Sequence, residues 1–188
     1  LLPRRLWRCL SLTMETDNRG LYVHIPFCVR KCKYCDFSSF GDKFYSDRKR
    51  YTDALIEEIS SYRDKSIYAD TLFFGGGTPS CLEDDLFEYI VLKIKESFKI
   101  TDDAEFTVEC NPGTVSREKL LVYKKCGVNR LSFGLQSIHE NELKILGRIH
   151  NYTDFLNSYT TIYDSGITNI NVDLMYGIPE QTLASFER

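Results

Sequence analysis

Short apolar runs alternate along this chain with segments in which apolar residues recur at helical spacing. The apolar runs end in glycine, proline or polar clusters and predict strands at residues 21–25, 71–74, 105–110, 130–133 and 169–174. Helical spacing predicts helices at residues 46–62, 86–98, 116–125, 140–146 and 155–163. Strand and helix alternate five times, which predicts an α/β fold built from βα units around a parallel sheet.

The spacing of these elements does not decide whether the sheet closes into a barrel. A TIM-like barrel, a partial barrel and a doubly wound sheet all fit it, and each binds its ligands at the carboxyl ends of the strands. The unusual residues of this chain nearly all follow predicted strands. We therefore expect one concavity at that edge of the sheet, surrounded by Cys32, Gly76, Glu109, Gln136 and Asp173.

The composition narrows the class of protein. The 188 residues are 43% hydrophobic and 27% charged, which suits one globular domain and excludes a disordered chain. The net charge of -3 argues against a nucleic-acid binder, which is usually basic. No uninterrupted apolar stretch approaches the ~18–20 residues that cross a bilayer, so we expect no membrane span.

The cysteines and the first residues bear on the compartment. Three of the seven cysteines lie within eight residues, which favours one ligand cluster in a reducing, cytoplasmic compartment over a disulfide framework. Residues 1–13 contain three arginines and no acid, as mitochondrial leaders do. We favour Met14 as the natural start. If residues 1–13 are a genuine leader, the location is mitochondrial.

The two ends of the chain also set its expected domain organisation. We expect residues 1–19 to form a flexible N-terminal segment and residues 20–188 to form the core domain. The hydrophobic pattern stops within the first turn of a helix that Thr182 opens, so we expect the core domain to be truncated at its C-terminus.

The strongest chemical signal is Cys28-x-x-x-Cys32-x-x-Cys35. A structural zinc site normally uses four ligands, often from two paired Cys-x-x-Cys knuckles, and no second knuckle exists here. Cys110 or His24 could supply a fourth ligand, although neither spacing is typical of zinc. Three thiolates on one loop better suit a [4Fe-4S] cluster in which the fourth iron stays open to a substrate atom. Chance clustering and zinc remain the alternatives.

Residues 75–77 are three consecutive glycines after a predicted strand, followed by Thr78. Backbone without a Cβ atom can approach a ligand closely, although a plain tight turn would use the same residues. The segment is not a phosphate-binding loop, because no Gly-Lys-Ser/Thr follows it. Glu109 ends a later strand, where its carboxylate could accept hydrogen bonds from ribose hydroxyls or from an ammonium group.

Taken in order, these motifs resemble the radical S-adenosylmethionine (SAM) proteins. Within them, the chain is similar to the group that contains oxygen-independent coproporphyrinogen III dehydrogenase and the heme chaperone HemW. The opening segment 21–28 leads into residues 31–37, and further matching segments follow at residues 74–80, 109–113, 127–137, 146–151 and 173–179. Each segment alone is weak, but the ordered set over residues 21–182 is very specific.

The resemblance implies a fold, cofactors and site residues. The fold is a partial TIM-like barrel of the radical SAM type. Cys28, Cys32 and Cys35 would ligate a [4Fe-4S] cluster, whose open iron SAM chelates through its amino and carboxylate groups. Matching positions imply SAM contacts by Tyr22, Tyr34, Gly76, Gly77, Thr78, Glu109, Gln136, Arg148 and Asp173.

Several of these residues also have simpler interpretations. The two glycines and Thr78 would hold the amino-acid end of SAM, and a guanidinium suits the SAM carboxylate. Alternatively, Tyr22 packs, Arg148 caps a helix and Asp173 accepts from a backbone amide. His24 is as suited to packing as to function.

Other cysteines and histidines outside the motif are expected to be structural. We expect His139 and His150 at the surface. Cys81, Cys110 and Cys126 are expected to be small buried apolar residues.

The residue two positions after Cys35 separates two functions. The dehydrogenases of this group carry a further cysteine there, whereas this chain has Phe37, as HemW-like proteins do. We therefore favour a heme chaperone, with heme as cargo and a heme protein as recipient, over an enzyme that oxidatively decarboxylates coproporphyrinogen III. A more distant alternative is a cluster-bearing relative that acts on an unrelated substrate.

Overall fold

The computed structural model describes residues 19–41 and 44–188. The predictions for residues 1–13 and Met14, and all but the last residue of the expected N-terminal segment 1–19, lie outside these residues.

Five parallel strands form one sheet in the order β1-β2-β3-β4-β5. The strands are β1 Gly20–Ile25, β2 Tyr68–Gly76, β3 Lys99–Cys110, β4 Arg130–Gln136 and β5 Asn169–Leu174. The helices are α1 Tyr45–Ser60, α2 Asp84–Ser97, α3 Arg117–Cys126, α4 Glu140–Leu146, α5 Tyr152–Asp164 and the short α6 Leu183–Phe186. Single 3₁₀ turns lie at Arg63–Lys65 and Pro79–Cys81.

The strand order excludes the doubly wound alternative. In a doubly wound sheet the order reverses at a switch point, whereas here each strand pairs with the next one along the chain. Successive crossovers of one hand then place the helices on one face. Contacts between α1 and α2, α2 and α3, and α3 and α5 agree with a single helical layer.

The hydrophobic core fills the space between this helical layer and the sheet. Side chains that alternate along the strands, such as Val23, Phe74 and Val108, face the helices and are buried. Phe87 of α2 contacts the Phe74 ring at 5.1 Å between centroids, and the ring of Tyr123 on α3 at 4.6 Å. Large aromatic side chains therefore fix the distance between the helices and the sheet.

The opposite face of the sheet is polar. The intervening strand positions carry Tyr22, His24, Thr107, Glu109 and Ser132, beside one another across neighbouring strands. A parallel sheet buried on both faces usually has apolar residues on both. The polar face therefore marks the side of the sheet that carries the chemistry.

The predicted elements are all present, with shifted ends. Residues 140–146 and 169–174 form α4 and β5 as predicted, and Gly127, with φ of 99°, ends α3. β3 begins six residues earlier than predicted, because the polar start of the strand conceals its pairing of Lys99 with Tyr68. α5 begins at Tyr152 behind a capping box of Asn151 and Asp154, a start signal that the apolar spacing did not reveal.

Among the described residues, no helix combines the length and apolar composition needed to cross a bilayer.

Candidate functional site

One concavity lies at the carboxyl ends of the strands, with an empty volume of about 1020 Å³ including open solvent. It confirms the expected clustering of Cys32, Gly76, Glu109, Gln136 and Asp173. The remaining predicted site residues that line it are Cys28, Tyr34, Cys35, Gly77, Thr78 and Arg148. The geometry therefore brings eleven of the twelve predicted residues together, and their roles as ligands stay predictions.

Tyr22 is the predicted site residue that does not line the concavity. It lies in the middle of β1 and is 57% exposed, with its ring stacked on Phe73. Its hydroxyl and His24 Nδ1 are 3.3 Å apart, and burial and the Glu109 carboxylate raise the pKa of Tyr22. A Cβ atom at Gly75 would meet both the Tyr22 ring and Glu109 Oε2. Tyr22 is thus a direct neighbour of the site on the polar face.

The cysteine loop is held at its base and near its tip. At the base, Cys28 N donates to Phe40 O at 3.0 Å and Phe40 N donates to Pro26 O at 2.7 Å. Near the tip, Lys33 N donates to Leu146 O at the end of α4 at 3.0 Å. These backbone hydrogen bonds close the loop on itself and tie it to the end of α4, and its three thiols line the concavity.

The three thiols of this loop are a donor set that fits a [4Fe-4S] cluster. A [4Fe-4S] cube binds each thiolate through a different iron. Three cysteine thiolates are also the soft donors that such clusters use.

Two other cysteines near the site are less suited to ligation. Burial raises the pKa of Cys81 to about 11 and that of Cys110 to about 12. Cys110 and Cys126 are buried as expected, but Cys81 is only half-buried and lines the concavity. The expectation of a fully buried Cys81 was therefore wrong, because the turn after Thr78 carries this side chain to the rim of the site.

The side chain of Arg148 reaches into the site, while its backbone N donates to Leu143 O at 2.9 Å and caps the end of α4. Its Nη1 donates to Cys32 Sγ at 3.6 Å, and its Nη2 donates to Asn111 Oδ1 and to Gly134 O, each at 2.6 Å. Its Nε is buried and has no hydrogen-bond partner among the described residues. A buried guanidinium N–H without an acceptor suits an anionic ligand such as the SAM carboxylate.

Backbone and side-chain donors hold the two carboxylates of the site. Gly76 N donates to Glu109 Oε2 at 3.1 Å. Burial raises the pKa of Glu109 by more than this hydrogen bond lowers it. Asp173 accepts from Asn171 Nδ2 at 2.6 Å and from Ser132 Oγ at 3.4 Å, not from the backbone amide considered above. Both carboxylates keep acceptor capacity for hydroxyl or ammonium groups of a ligand.

Gln136 and Tyr34 complete the predicted set. Gln136 has φ of 69°, a left-handed conformation that non-glycine residues rarely adopt and that often occurs at functional sites. Burial raises the pKa of Tyr34 to about 12. Its phenol, neutral at pH 7 as in any tyrosine, can donate a hydrogen bond to a ligand.

His150 corrects a prediction from the sequence. It was expected at the surface, but it is 8% exposed and lines the concavity. Its Nε2 donates to Leu135 O at 3.3 Å, and burial, with Arg148 nearby, lowers the pKa of His150 to about 4. The imidazole is therefore neutral at pH 7. His139 is half-buried and its Nε2 donates to Ser185 O at 2.9 Å, so it too differs from a free surface residue.

We expect Gly77→Ala to destabilise the protein by about 1–3 kcal/mol, the usual cost of overpacking. A Cβ atom there would lie 2.7 Å from Phe27 O and 2.9 Å from Phe27 N, and backbone atoms cannot move aside cheaply. Gly41→Ala is the matched control, because a Cβ atom at Gly41 meets nothing within 4 Å. Denaturant unfolding measures both variants, and equal stability would contradict the tight packing at Gly77.

Sequence comparisons identify similar proteins. A family model described as the radical SAM superfamily matches residues 22–188. The heme chaperone HemW of Escherichia coli is 38% identical over 169 residues, which cover 87% of this chain and 44% of that protein. HemW of Bacillus subtilis is 38% identical over 174 residues, covering 90% and 45% of the two chains. The chain thus spans less than half the length of these relatives.

A mitochondrial relative and a solved structure extend the comparison. Radical S-adenosyl methionine domain-containing protein 1, mitochondrial, of Bos taurus is 32% identical and covers 92% of this chain and 39% of its own. The structure of coproporphyrinogen III oxidase (HemN) from Escherichia coli, described as a radical SAM enzyme, is 30% identical with a TM-score of 0.83. It covers 89% of this chain and 39% of its own.

The structural match settles how the sheet is built. A parallel βα sheet in sequential strand order, superimposable on HemN, confirms the predicted α/β fold of the radical SAM type, a partial TIM-like barrel. The sequence match covers the cysteine loop and all five strands, apart from the first two residues of β1. The chain therefore belongs to the radical SAM superfamily.

Proposed function

We propose that this domain holds a [4Fe-4S] cluster through Cys28, Cys32 and Cys35 and binds SAM in the adjoining concavity. We further propose that the protein is HemW-like in activity and binds and transfers heme. Membership of the radical SAM superfamily supports the first proposal, and the similarity to proteins named heme chaperone HemW supports the second.

The residues around the concavity suit the parts of SAM. Such a cluster, when bound, supplies the low-potential electron that SAM cleavage needs. The unpaired Nε of Arg148 is available to the SAM carboxylate, and the glycine backbone at Gly76 and Gly77 allows close approach. The carboxylates of Glu109 and Asp173 can accept from ribose hydroxyls or from the SAM ammonium. We assign no residue of this domain as a catalytic acid or base.

The choice of a chaperone over a dehydrogenase rests on the identity and position of Phe37. It lines the same concavity as the three cluster cysteines and is 63% exposed. The resembling dehydrogenases have a cysteine at this position, whereas an aromatic ring supplies neither a thiolate nor an acid–base group. The position that distinguishes the two groups is thus next to the proposed cluster and apolar in this chain.

The second candidate is an oxygen-independent coproporphyrinogen III dehydrogenase. The similarity to the HemN structure, with its TM-score of 0.83, favours it because the two folds share the scaffold around the cluster. The scaffold alone does not choose between the two activities, because the same fold can serve different reactions.

The proposed partners are heme and a recipient heme protein, and the net charge of -3 gives no support to nucleic acid. We propose a cytoplasmic location. The bovine relative, whose name includes the word mitochondrial, supports the mitochondrial alternative.

Heme transfer tests the proposed function. We expect the full-length protein, reconstituted anaerobically, to bind heme stoichiometrically and to pass it to an apo-heme protein, as followed by absorbance of the Soret band. We also expect Cys28→Ser to keep heme binding, on the assumption that heme uses residues other than the cluster ligands. Failure of the wild-type protein to release bound heme to any apo-protein would contradict the chaperone function.

A further inference from the structure

A chain of hydrogen bonds joins two of the cluster cysteines through Asn111. Arg148 Nη1 donates to Cys32 Sγ at 3.6 Å, and Arg148 Nη2 donates to Asn111 Oδ1 at 2.6 Å. Asn111 Nδ2 lies 2.8 Å from Thr78 Oγ1, and Thr78 Oγ1 lies 3.6 Å from Cys28 Sγ. Asn111 contacts neither cysteine itself, yet it connects the two side chains that do.

The guanidinium of Arg148 determines which atoms donate and which accept along this series of hydrogen bonds. A guanidinium only donates, so the Asn111 atom that faces Arg148 must be the carbonyl oxygen. The amide nitrogen of Asn111 therefore faces Thr78 and donates to its oxygen. Because Thr78 accepts this bond, its single hydroxyl proton is directed to Cys28 Sγ. Asn111 thus determines that Thr78 acts as a donor toward the sulfur.

The surroundings keep Asn111 and its partners in place. Two hydrogen bonds to Thr114 hold the backbone of Asn111: Asn111 N donates to Thr114 Oγ1 at 3.2 Å, and Asn111 O accepts from Thr114 N at 3.1 Å. Thr78 is 3% exposed, so its hydroxyl has little access to water as an alternative partner. A Cβ atom at Gly134 would lie 3.0 Å from both Arg148 Nη2 and Asn111 Oδ1. A side chain at position 134 would therefore crowd this network.

We propose that Asn111 is a positioning residue that raises the reduction potential of the cluster by aiming Thr78 and Arg148 at the sulfurs of Cys28 and Cys32. The inference rests on the proposed binding of a [4Fe-4S] cluster by these cysteines. Reduction adds negative charge to the cluster and its thiolates, and donors to the sulfurs stabilise that charge. Without Asn111, both donors lose their common anchor and the reduced cluster loses stabilisation.

The test is an EPR-monitored redox titration of the reconstituted full-length protein without SAM. The variants are Thr78→Val, which removes one hydroxyl at nearly constant shape, Thr78→Ser, which keeps it, and Asn111→Leu. At the midpoint potential of the wild-type protein, we expect the ratio of reduced to oxidised cluster to fall about tenfold in Thr78→Val, equivalent to 59 mV for one electron. Asn111→Leu should lower it at least as far, and Thr78→Ser should restore the wild-type value.

A double variant and a matched control separate this role from general damage. Thr78→Val should add little to Asn111→Leu, because Asn111 acts through Thr78. Thr52→Val makes the same change at a buried hydroxyl on α1 that has no hydrogen-bond partner among the described residues, and it should leave the potential unchanged. A full additional shift in the double variant, or an equal shift in Thr52→Val, would overturn the inference.

The outcomes also separate this inference from the proposed function. A wild-type protein that binds no iron and sulfide contradicts the cluster itself. An intact cluster whose potential does not change in Thr78→Val overturns the inference alone, whatever happens in Asn111→Leu. An Asn111→Leu protein that retains an intact cluster at the wild-type potential would overturn the inference as well.

Discussion

Serine in place of Cys28, Cys32 or Cys35 is expected to leave the anaerobically reconstituted protein without a [4Fe-4S] cluster. The wild-type protein should bind about four irons and four sulfides per chain, the stoichiometry of one cube. A serine hydroxyl keeps its proton at neutral pH and is a hard donor, so it does not replace a soft thiolate toward iron. Only three thiolates hold the proposed cluster, so each loss is expected to abolish it. Iron and sulfide analysis with the visible absorbance spectrum measures the effect.

Two other cysteines provide matched controls for this loss. Cys81→Ser changes a thiol that lines the same concavity, and Cys126→Ser changes a buried thiol on α3. Both variants should retain the full content of iron and sulfide, because neither residue belongs to the cysteine loop. One tightly bound zinc and no sulfide in the wild-type protein would contradict the cluster.

The fold was predictable where local pattern and long-range pairing agree. β5 and α4 were predicted to the residue, because apolar spacing and flanking turn residues mark both ends of each. The first half of β3 was not predicted, because Asp102 and Asp103 interrupt the apolar pattern. Pairing with the start of β2 makes this segment a strand, and such tertiary pairing is absent from local sequence.

The site was predictable as a set of positions but not as a set of contacts. Residues that directly follow strands meet at one edge, because carboxyl ends of parallel strands share an edge. Arg148 and Cys32 are 116 residues apart in the chain, so no local signal reveals their hydrogen bond. The same applies to Asn111, whose motif was part of the resemblance although its side chain was assigned no role. His150 follows a glycine-ended helix, and only the folded chain shows that it is buried.

The second main result that we expect is that this protein leaves coproporphyrinogen III unchanged. Both candidate functions involve a cluster, SAM and a tetrapyrrole, so binding of SAM or porphyrin does not separate them. Turnover does, because only the dehydrogenase removes carboxyl groups from the propionate side chains. Phe37 stands where the resembling dehydrogenases carry a cysteine, and we therefore expect no decarboxylation by this protein.

The most direct measurement incubates the full-length reconstituted protein anaerobically with coproporphyrinogen III, SAM and a strong reductant. Parallel reactions omit SAM, and the products are separated after oxidation to the porphyrins. We predict that coproporphyrinogen III remains at its starting amount in both reactions, while the same preparation binds heme and transfers it to an apo-protein. Formation of protoporphyrinogen above the level of the reaction without SAM would contradict the chaperone function and establish the dehydrogenase.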